Sequence, residues 1–452
     1  MDKLRIDPVV LEAAAKFTRA GKQVFLVGGA VRDLLRGKPA KDWDLATNAR
    51  PEEVIPLFRR VIPTGIKHGT VTVRYKGHSL EVTAFRTEAG YSDGRRPDQI
   101  RYAASIEEDL SRRDFTMNAI ALEIPSLRLV DPFDGQGDIK RRLIRCVGNP
   151  QERFAEDGLR PLRALRFAAQ LGFDIDGPTL EAVPHVLSVS AKVSPERVRD
   201  EFDRIIASPS PSSALLLMEK TGLLALFFPE LSQCRGIEQK GFHHFDVLDH
   251  SLLACDYAAR NSAPQRVRLA ALFHDIGKPS TRRMGEDGVW TFYRHEAESV
   301  LLARRLMERL RYPNALIDQT AHLIGEHMFH YEPVWKDAAI RRFIVKAGEE
   351  NLEDLYALRR ADSYAAAGRE PPADLLLSLQ ERVRVALAQG RAFSLKDLAV
   401  AGADLMAIGV KPGPRMGIIL GELLETVLDD PAQNTREQLL KIAGNLNRGN
   451  AD

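Results

Sequence analysis

The sequence predicts an α+β multidomain protein, and three observations carry that expectation. At 452 residues the chain exceeds what one ordinary hydrophobic core organises, so two to four domains are expected. Up to about residue 140, helical periods alternate with short β-type runs: VFLVGG at 24–29, TVTVRY at 70–75 and LEVTAF at 80–85. From about Pro150 onward the strand signals vanish, and LRPLRALRFAAQLGF (159–173) and SALLLMEKTGLLALF (213–227) carry apolar residues at helical spacing. Breaks are expected at SPSPSS (208–213), GREPPAD (368–374) and KPGPRMG (411–417), where Pro, Gly and Ser cluster.

Composition narrows the function classes. With 44% apolar and 28% charged residues the chain reads as globular and soluble. Lys plus Arg number 64 against 62 Asp plus Glu, so a polyanionic partner would have to meet a local patch. Cys146, Cys234 and Cys255 stand far apart without a CxxC pair, which argues against a disulfide framework or a zinc ribbon and fits a reducing compartment. No apolar run reaches the roughly 18 residues of a membrane span, and MDKLRIDPVV lacks a signal peptide's charged-then-apolar order. The expectation is a cytoplasmic protein with no membrane partner.

The first chemistry-bearing segment is LVGGAVRDLLRGKPAKDWDLAT. An apolar strand precedes Gly28 and Gly29, and a helical pattern carrying Arg32 follows. Glycines at such a turn let backbone N–H groups approach phosphate oxygens, although the same turn serves plain packing. Asp42 and Asp44 flank Trp43. On a strand, period-2 geometry puts both carboxylates on one face about 7 Å apart at Cα with Trp43 turned into the core. Carboxylates so placed can hold Mg²⁺ ions that bridge substrate phosphates; alone they would equally suit a solvated acidic turn. Glu81, on LEVTAF, is a candidate third carboxylate or an exposed strand residue.

RRDFTMNA places Arg112, Arg113 and Asp114 at a turn ahead of NAIALEI, which is expected to be helical. Arginines fork onto phosphate oxygens, whereas Asp114 is also suited to cap a helix. In ERFAEDGLRPLRALRF, one continuous helix would set Asp157, Arg160 and Arg163 three apart and Glu156, Arg160 and Phe167 in a stripe. An Asp beside an Arg can read an edge that offers an amino donor next to a ring-nitrogen acceptor. Cytosine and adenine share that edge; uracil and guanine reverse it. A surface ion pair is the plainer reading of the same spacing.

These segments carry a family resemblance. VGGAVRDLLRG with KDWDLAT, TGIKHGTVTV with EVTAFR, EEDLSRRDFTMNA, LVDPFDGQGDIKRRLIR and EDGLRPLRALRFAAQLGF resemble, in that order, the five motifs of bacterial class II tRNA nucleotidyltransferases. The resemblance covers residues 24 to about 175 densely and extends loosely to GADLMAIGVKPGPRMGIILGELLETVL. It implies that Asp42 and Asp44 hold catalytic Mg²⁺ and that Gly29, Arg32 and Arg113 contact the incoming nucleotide. Asp157 and Arg160 would template the base, Glu156 would orient that arginine, and Arg163 and Arg166 would lie near the triphosphate. The implied partners are tRNA, CTP and ATP, and the implied reaction completes the tRNA CCA end. TEAGYSDGRRPDQIRY (87–102) reads as a mobile loop; in the family this element serves the step from C to A addition, and no deletion is evident. Alternatives are an A-only adding enzyme, a poly(A) polymerase, or a nucleotide phosphohydrolase.

The phosphohydrolase alternative rests on the second half of the chain. His250, the pair His274-Asp275 in LFHDIGKP, and Asp362 are spaced like the ligands of an HD-superfamily metal site, with His295, His322 and His327 available for a second metal position. The resemblance implies a second divalent metal there, Mg²⁺, Mn²⁺, Ni²⁺, Fe or Co²⁺, and hydrolysis of phosphate esters. The expected domains are a mixed-sheet nucleotidyltransferase head (1–140), a helical neck with the nucleotide template and an RNA-binding region (141–232), an HD phosphohydrolase-type domain (233–370) and a helical tRNA-binding tail (371–452).

Overall fold

The structure, a computed structural model, describes residues 5–448 apart from Lys41, 90–98, 240–244, Asp287, Pro371 and 390–393. Two compact units are present: residues 1–233 with 306–312, and 234–305 with 313–452. No helix among the described residues is long and apolar enough to cross a membrane.

The first unit is built on a seven-stranded mixed sheet. Its strands are β1 (Val24–Val27), β2 (Trp43–Thr47), β3 (Val61–Gly65), β4 (Thr70–Tyr75), β5 (His78–Ala84), β8 (Ala121–Glu123) and β9 (Leu129–Val130). Between β5 and β8, Arg86–Ala89 (β6) and Gln99–Tyr102 (β7) pair as a separate antiparallel ribbon. The large sheet runs β3-β4-β5-β2-β1-β8-β9. β1 is antiparallel to β2 and β8, whereas β2 and β5 are parallel. Phe25, Val27, Ala46 and Phe85 join Ile106 and Leu110 in one buried cluster. Each large side chain buried in this way contributes about 1.5–3 kcal/mol.

Three expectations need correction here. NAIALEI is not helical: Ala121–Glu123 is a strand between β1 and β9, and Ala119, Ile120, Ala121 and Leu122 are wholly buried. An unbroken apolar run has no period to tell a buried strand from a buried helix. The 87–102 segment is paired at both ends, and its middle, 90–98, lies outside the described residues. Strands also persist past residue 140, since Leu143–Ile144 pairs in parallel with Asp174–Ile175, and Arg283–Met284 pairs with Trp290–Thr291.

The remainder of the first unit is helical. Pro150–Glu156 starts under Asn149, whose side chain accepts from the Gln151 and Glu152 amides. It ends at Glu156, and a new helix runs Arg160–Leu171 with a proline in its first turn. The predicted continuous helix through EDGLR is therefore two helices. Gly158 explains the break: a Cβ there would stand 2.6 Å from the Val189 carbonyl oxygen, so only glycine fits at the turn.

In the second unit, helices Val247–Arg260, Gln265–Phe273, Asn314–Glu326 and Leu352–Ala367 pack together. A separate apolar cluster of Leu405, Ile419, Leu423, Val427 and Leu439 holds the C-terminal helices. All three cysteines are buried.

Candidate active site and a histidine–aspartate cluster

The β1 end of the sheet leads straight into the first candidate site. Gly28 has φ +70, a left-handed conformation that favours glycine, and it opens helix Gly29–Leu35. A Cβ there would stand 3.1 Å from Arg113 Nη1 and 3.8 Å from Asp44 Oδ2. Gly28 thus lets an arginine and a carboxylate close over the turn, a role the sequence left undivided between Gly28 and Gly29. Gly29 itself faces Arg32, whose Nη2 would lie 3.5 Å from a Cβ there.

Asp44 sits on β2, in register with Val27 on one side and Glu81 on the other. Burial, the Glu81 charge and the Asp42 charge push its carboxyl up to about 6, against the opposing pull of Arg113. Asp42 lies one residue ahead of the strand and is exposed; Trp43 is half-buried, not the core anchor expected from strict alternation. Asp42 and Glu81, both exposed, make with the half-buried Asp44 a set of three carboxylates that suits a hard divalent cation, which would relieve their repulsion. Glu81 enters this set through strand pairing.

The arginines divide into anchored and available groups. Asp109 is buried and accepts from Arg112 Nη2 at 2.8 Å and Arg113 Nη2 at 3.3 Å. Burial would raise its carboxyl, but the two guanidinium groups hold it below the usual range. Arg113 Nε is buried with no hydrogen-bond partner among the described residues, so donors remain for an anion. Arg32 Nη1 donates to Asn118 Oδ1 at 3.0 Å, and Asn118 Nδ2 donates to Asp114 Oδ1 at 3.2 Å. Arg163 then forks onto Asp114 Oδ2 at 2.9 and 2.6 Å. Burial pushes Asp114 upward, yet Arg163 outweighs it and leaves its pKa about 2. Asp114 is therefore the clamp of an Arg32–Asn118–Arg163 network and not a helix cap.

Glu156 meets Arg160 across the helix break, as spacing predicted, and also accepts from Arg153 Nη1 at 2.8 Å. Arg160 Nη1 further donates to the Arg153 carbonyl at 2.8 Å and Nη2 to the Arg112 carbonyl at 3.1 Å. Asp157 turns its carboxylate to the Leu159 amide and to Arg197 Nη2 at 2.7 Å. Arg166 is buried, ion-paired with Glu201 and stacked 3.8 Å above the Phe167 ring centroid. Burial brings its pKa down to about 10. Sequence reading missed Asp109, Arg197 and Glu201. Only Asp109 was within reach, because it precedes Arg112 and Arg113 by three and four residues on a helical pattern.

A family model described as the Poly A polymerase head domain matches residues 24–145. Models for an RNA- and SrmB-binding site of polymerase A and for tRNA nucleotidyltransferase domain 2 match 172–234 and 285–443. A CCA-adding enzyme of Limosilactobacillus fermentum is 33% identical over 435 residues, covering 96% of this chain and 95% of the relative. The chain belongs to the CCA-adding enzyme family. A second such enzyme, from Anoxybacillus flavithermus, is 33% identical over 94% of each chain. The Bacillus stearothermophilus CCA-adding enzyme, solved in complex with CTP, superposes with a TM-score of 0.75 at 29% identity and covers 98% of this chain and 99% of that one. The Thermotoga maritima CCA-adding enzyme complexed with tRNA shares the fold, with a TM-score of 0.56 over 98% of this chain and 97% of that one, at 19% identity.

In the second unit of this family member, His250, His274, Asp275 and Asp362 converge as their spacing predicted. His250 Nε2 lies 3.1 Å from both His274 Nε2 and Asp362 Oδ1. His274 Nε2 is 3.3 Å from Asp275 Oδ2. His295 and His327 join them, with Nε2 atoms 3.2 and 4.0 Å from Asp275 Oδ1. His322 does not; its Nε2 meets the Ala347 carbonyl at 2.6 Å. The Nδ1 atoms of His274, His295 and His327 each contact a backbone carbonyl at 2.6–2.9 Å, which turns the Nε2 atoms inward. Asp275 Oδ1 and His295 Nε2 are buried and, although 3.2 Å apart, make no well-aligned hydrogen bond among the described residues. Burial alone would keep His274 neutral, but Asp275 and Asp362 pull it up to about 10, while burial and the neighbouring His274 hold His327 down to about 4. Inward-facing imidazole nitrogens among buried carboxylates make a donor set that fits a divalent metal.

Proposed function

We propose that this chain adds C, C and A to the 3′ end of tRNA from CTP and ATP without a nucleic-acid template. The observation that carries the reading is the joining of two features in one unit: the Asp44–Glu81–Arg113 cluster over Gly28, and the Glu156-held Arg160 beside Asp157. The tRNA 3′ oxygen attacks the α-phosphate of the bound nucleotide, a new P–O bond forms, and pyrophosphate leaves. Mg²⁺, held by Asp42 and Asp44, would supply charge neutralisation at the α-phosphate and lower the pKa of the attacking hydroxyl. Arg113 and Arg32 receive the triphosphate. Asp157 accepts from the exocyclic amino group and Arg160 donates to the adjacent ring nitrogen. Asn118 holds Arg32, Asp109 holds Arg113, Glu156 holds Arg160 and Arg197 holds Asp157 before substrate arrives, so little reorganisation is left for the transition state.

The test is incubation with tRNA ending before CCA, ending in C, or ending in CC, each nucleotide being supplied in turn. Addition of both C residues and then A is expected. A alone on the CC end would identify an A-only enzyme, and untemplated A runs a poly(A) polymerase.

The histidine–aspartate cluster favours a second reading, an HD-type phosphohydrolase site acting on phosphomonoesters or on 2′,3′-cyclic phosphates. A divalent metal held by His250, His274, Asp275 and Asp362 would supply an activated water there. Lys278 donates to Asp275 Oδ2 at 2.6 Å and steadies that carboxylate.

A further inference from the structure

The second unit also holds a cavity of about 440 Å³ that neither reading uses. Its lining includes Arg359, Arg360 and Arg369 but a single carboxylate, Glu370, which accepts from the Tyr257 hydroxyl at 3.0 Å. Arg360 and Arg369 make no ion pair among the described residues, so the cavity carries uncompensated positive charge. One wall is apolar. Phe329 is half-buried, and Leu375 and Leu377 are 55% and 57% exposed. The Arg359 guanidinium lies 5.7 Å from the Phe329 ring centroid.

Unpaired guanidinium groups call for phosphate, and an open ring with adjacent leucines calls for a flat apolar surface. A nucleoside monophosphate carries both, and the cavity lies in the size range of pockets that take such ligands. None of His250, His274, Asp275 or Asp362 lines the cavity, so it is separate from the metal-fitting cluster. Arg359 links the two, because its Nη1 donates to Asp362 Oδ2 at 3.3 Å.

We propose that this cavity binds a free nucleoside monophosphate, its phosphate on Arg360 and Arg369 and its base against Phe329 and the two leucines. Neither the transfer nor the hydrolytic reading is needed for this binding. The probe is AMP, titrated without divalent metal into the full chain carrying Arg160→Ala, which removes the base contact of the head. One AMP site is expected to remain. Arg360→Gln with Arg369→Gln, and separately Phe329→Ala, should each weaken it roughly tenfold or more. Inorganic phosphate should bind far more weakly than AMP, and thermal melts should show all variants folded. The proposal is overturned if AMP does not bind, or binds the variants equally well. It is also overturned if phosphate alone binds as tightly, or if a CpCpA trinucleotide binds where AMP does not. Failure of CCA addition by the unsubstituted chain would overturn the proposed function and leave this binding result standing.

Discussion

Arg160→Ala tests the template assignment directly, and the structure sets the size of the effect. A guanidinium has five N–H donors, and Arg160 commits three of them, to Glu156 and to the carbonyls of Arg153 and Arg112. Two remain, one on Nη2 and one on Nε. A hydrogen bond from a charged donor to the base is worth about 1.5–3 kcal/mol, or roughly 10- to 150-fold. CTP and ATP should lose that factor in kcat/KM. UTP presents a donor where cytosine has its acceptor and loses no such bond, so the CTP-to-UTP ratio should fall by the same factor. Glu156→Gln leaves Arg160 on its two carbonyl anchors and should lower the ratio only several-fold. The assay is single-nucleotide incorporation onto tRNA lacking CCA, with each triphosphate at subsaturating concentration. An unchanged CTP-to-UTP ratio in Arg160→Ala, with overall activity reduced, would show that Arg160 only braces the helix break.

Asp42→Ala and Asp44→Ala should each lower nucleotide addition by about 10³-fold or more while tRNA binding by filter assay persists. Arg166→Met should act on stability: it removes the nearest ion-pair partner of buried Glu201, which keeps Arg163 at 3.6 Å and Arg204 at 3.5 Å, so the cost in denaturant unfolding should be about 1.5–3 kcal/mol, with nucleotide KM nearly unchanged in the folded fraction. Asp114 has a folded pKa near 2 against an ordinary 3.8, so its ionised form stabilises the fold fully above 3.8 and progressively less as the pH falls towards 2. Asp114→Asn should therefore cost about 2 kcal/mol at neutral pH, and the gap from the unsubstituted chain should narrow over that acid window. His274→Ala with Asp275→Ala should spare CCA addition to a free 3′ hydroxyl but abolish use of tRNA ending in a 2′,3′-cyclic phosphate. Equal performance of both proteins on the cyclic form would exclude the hydrolytic reading for that substrate.

The sequence was most legible where chemistry is local and least where it depends on neighbours. β4 and β5 announced themselves through alternating Val and Thr, and Glu156–Arg160 survived as a contact although its helix broke, because the turn at Gly158 still brings residues four apart together. Sheet order is different. Glu81 stands beside Asp44 only because β2 and β5 pair in parallel, and nothing within either strand dictates that partner. The histidines show the same division on helix Asn314–Glu326 and its C-cap residue, His327. His322 and His327 are five residues apart, which at 100° per residue sets them about 140° apart around the axis. His327 therefore reaches the cluster while His322 meets the Ala347 carbonyl, and composition could not rank them. The arginines carry the point into function. Arg113 and Arg166 both belong to motif segments, yet Arg113 sets its Nη1 by the glycine turn and has no partner for Nε among the described residues, whereas Arg166 is tied to Glu201 and Phe167. Which guanidinium can receive a phosphate depends on which acids have already claimed the others, and those acids come from two distant stretches of chain, Asp109 and Asp114 from one and Glu201 from the other. Preorganisation of this kind is a property of the packed unit, and it predicts that removing an acid such as Glu201 would disturb Arg166 without emptying the site, whereas removing Asp109 would take a shared anchor from both Arg112 and Arg113 at once.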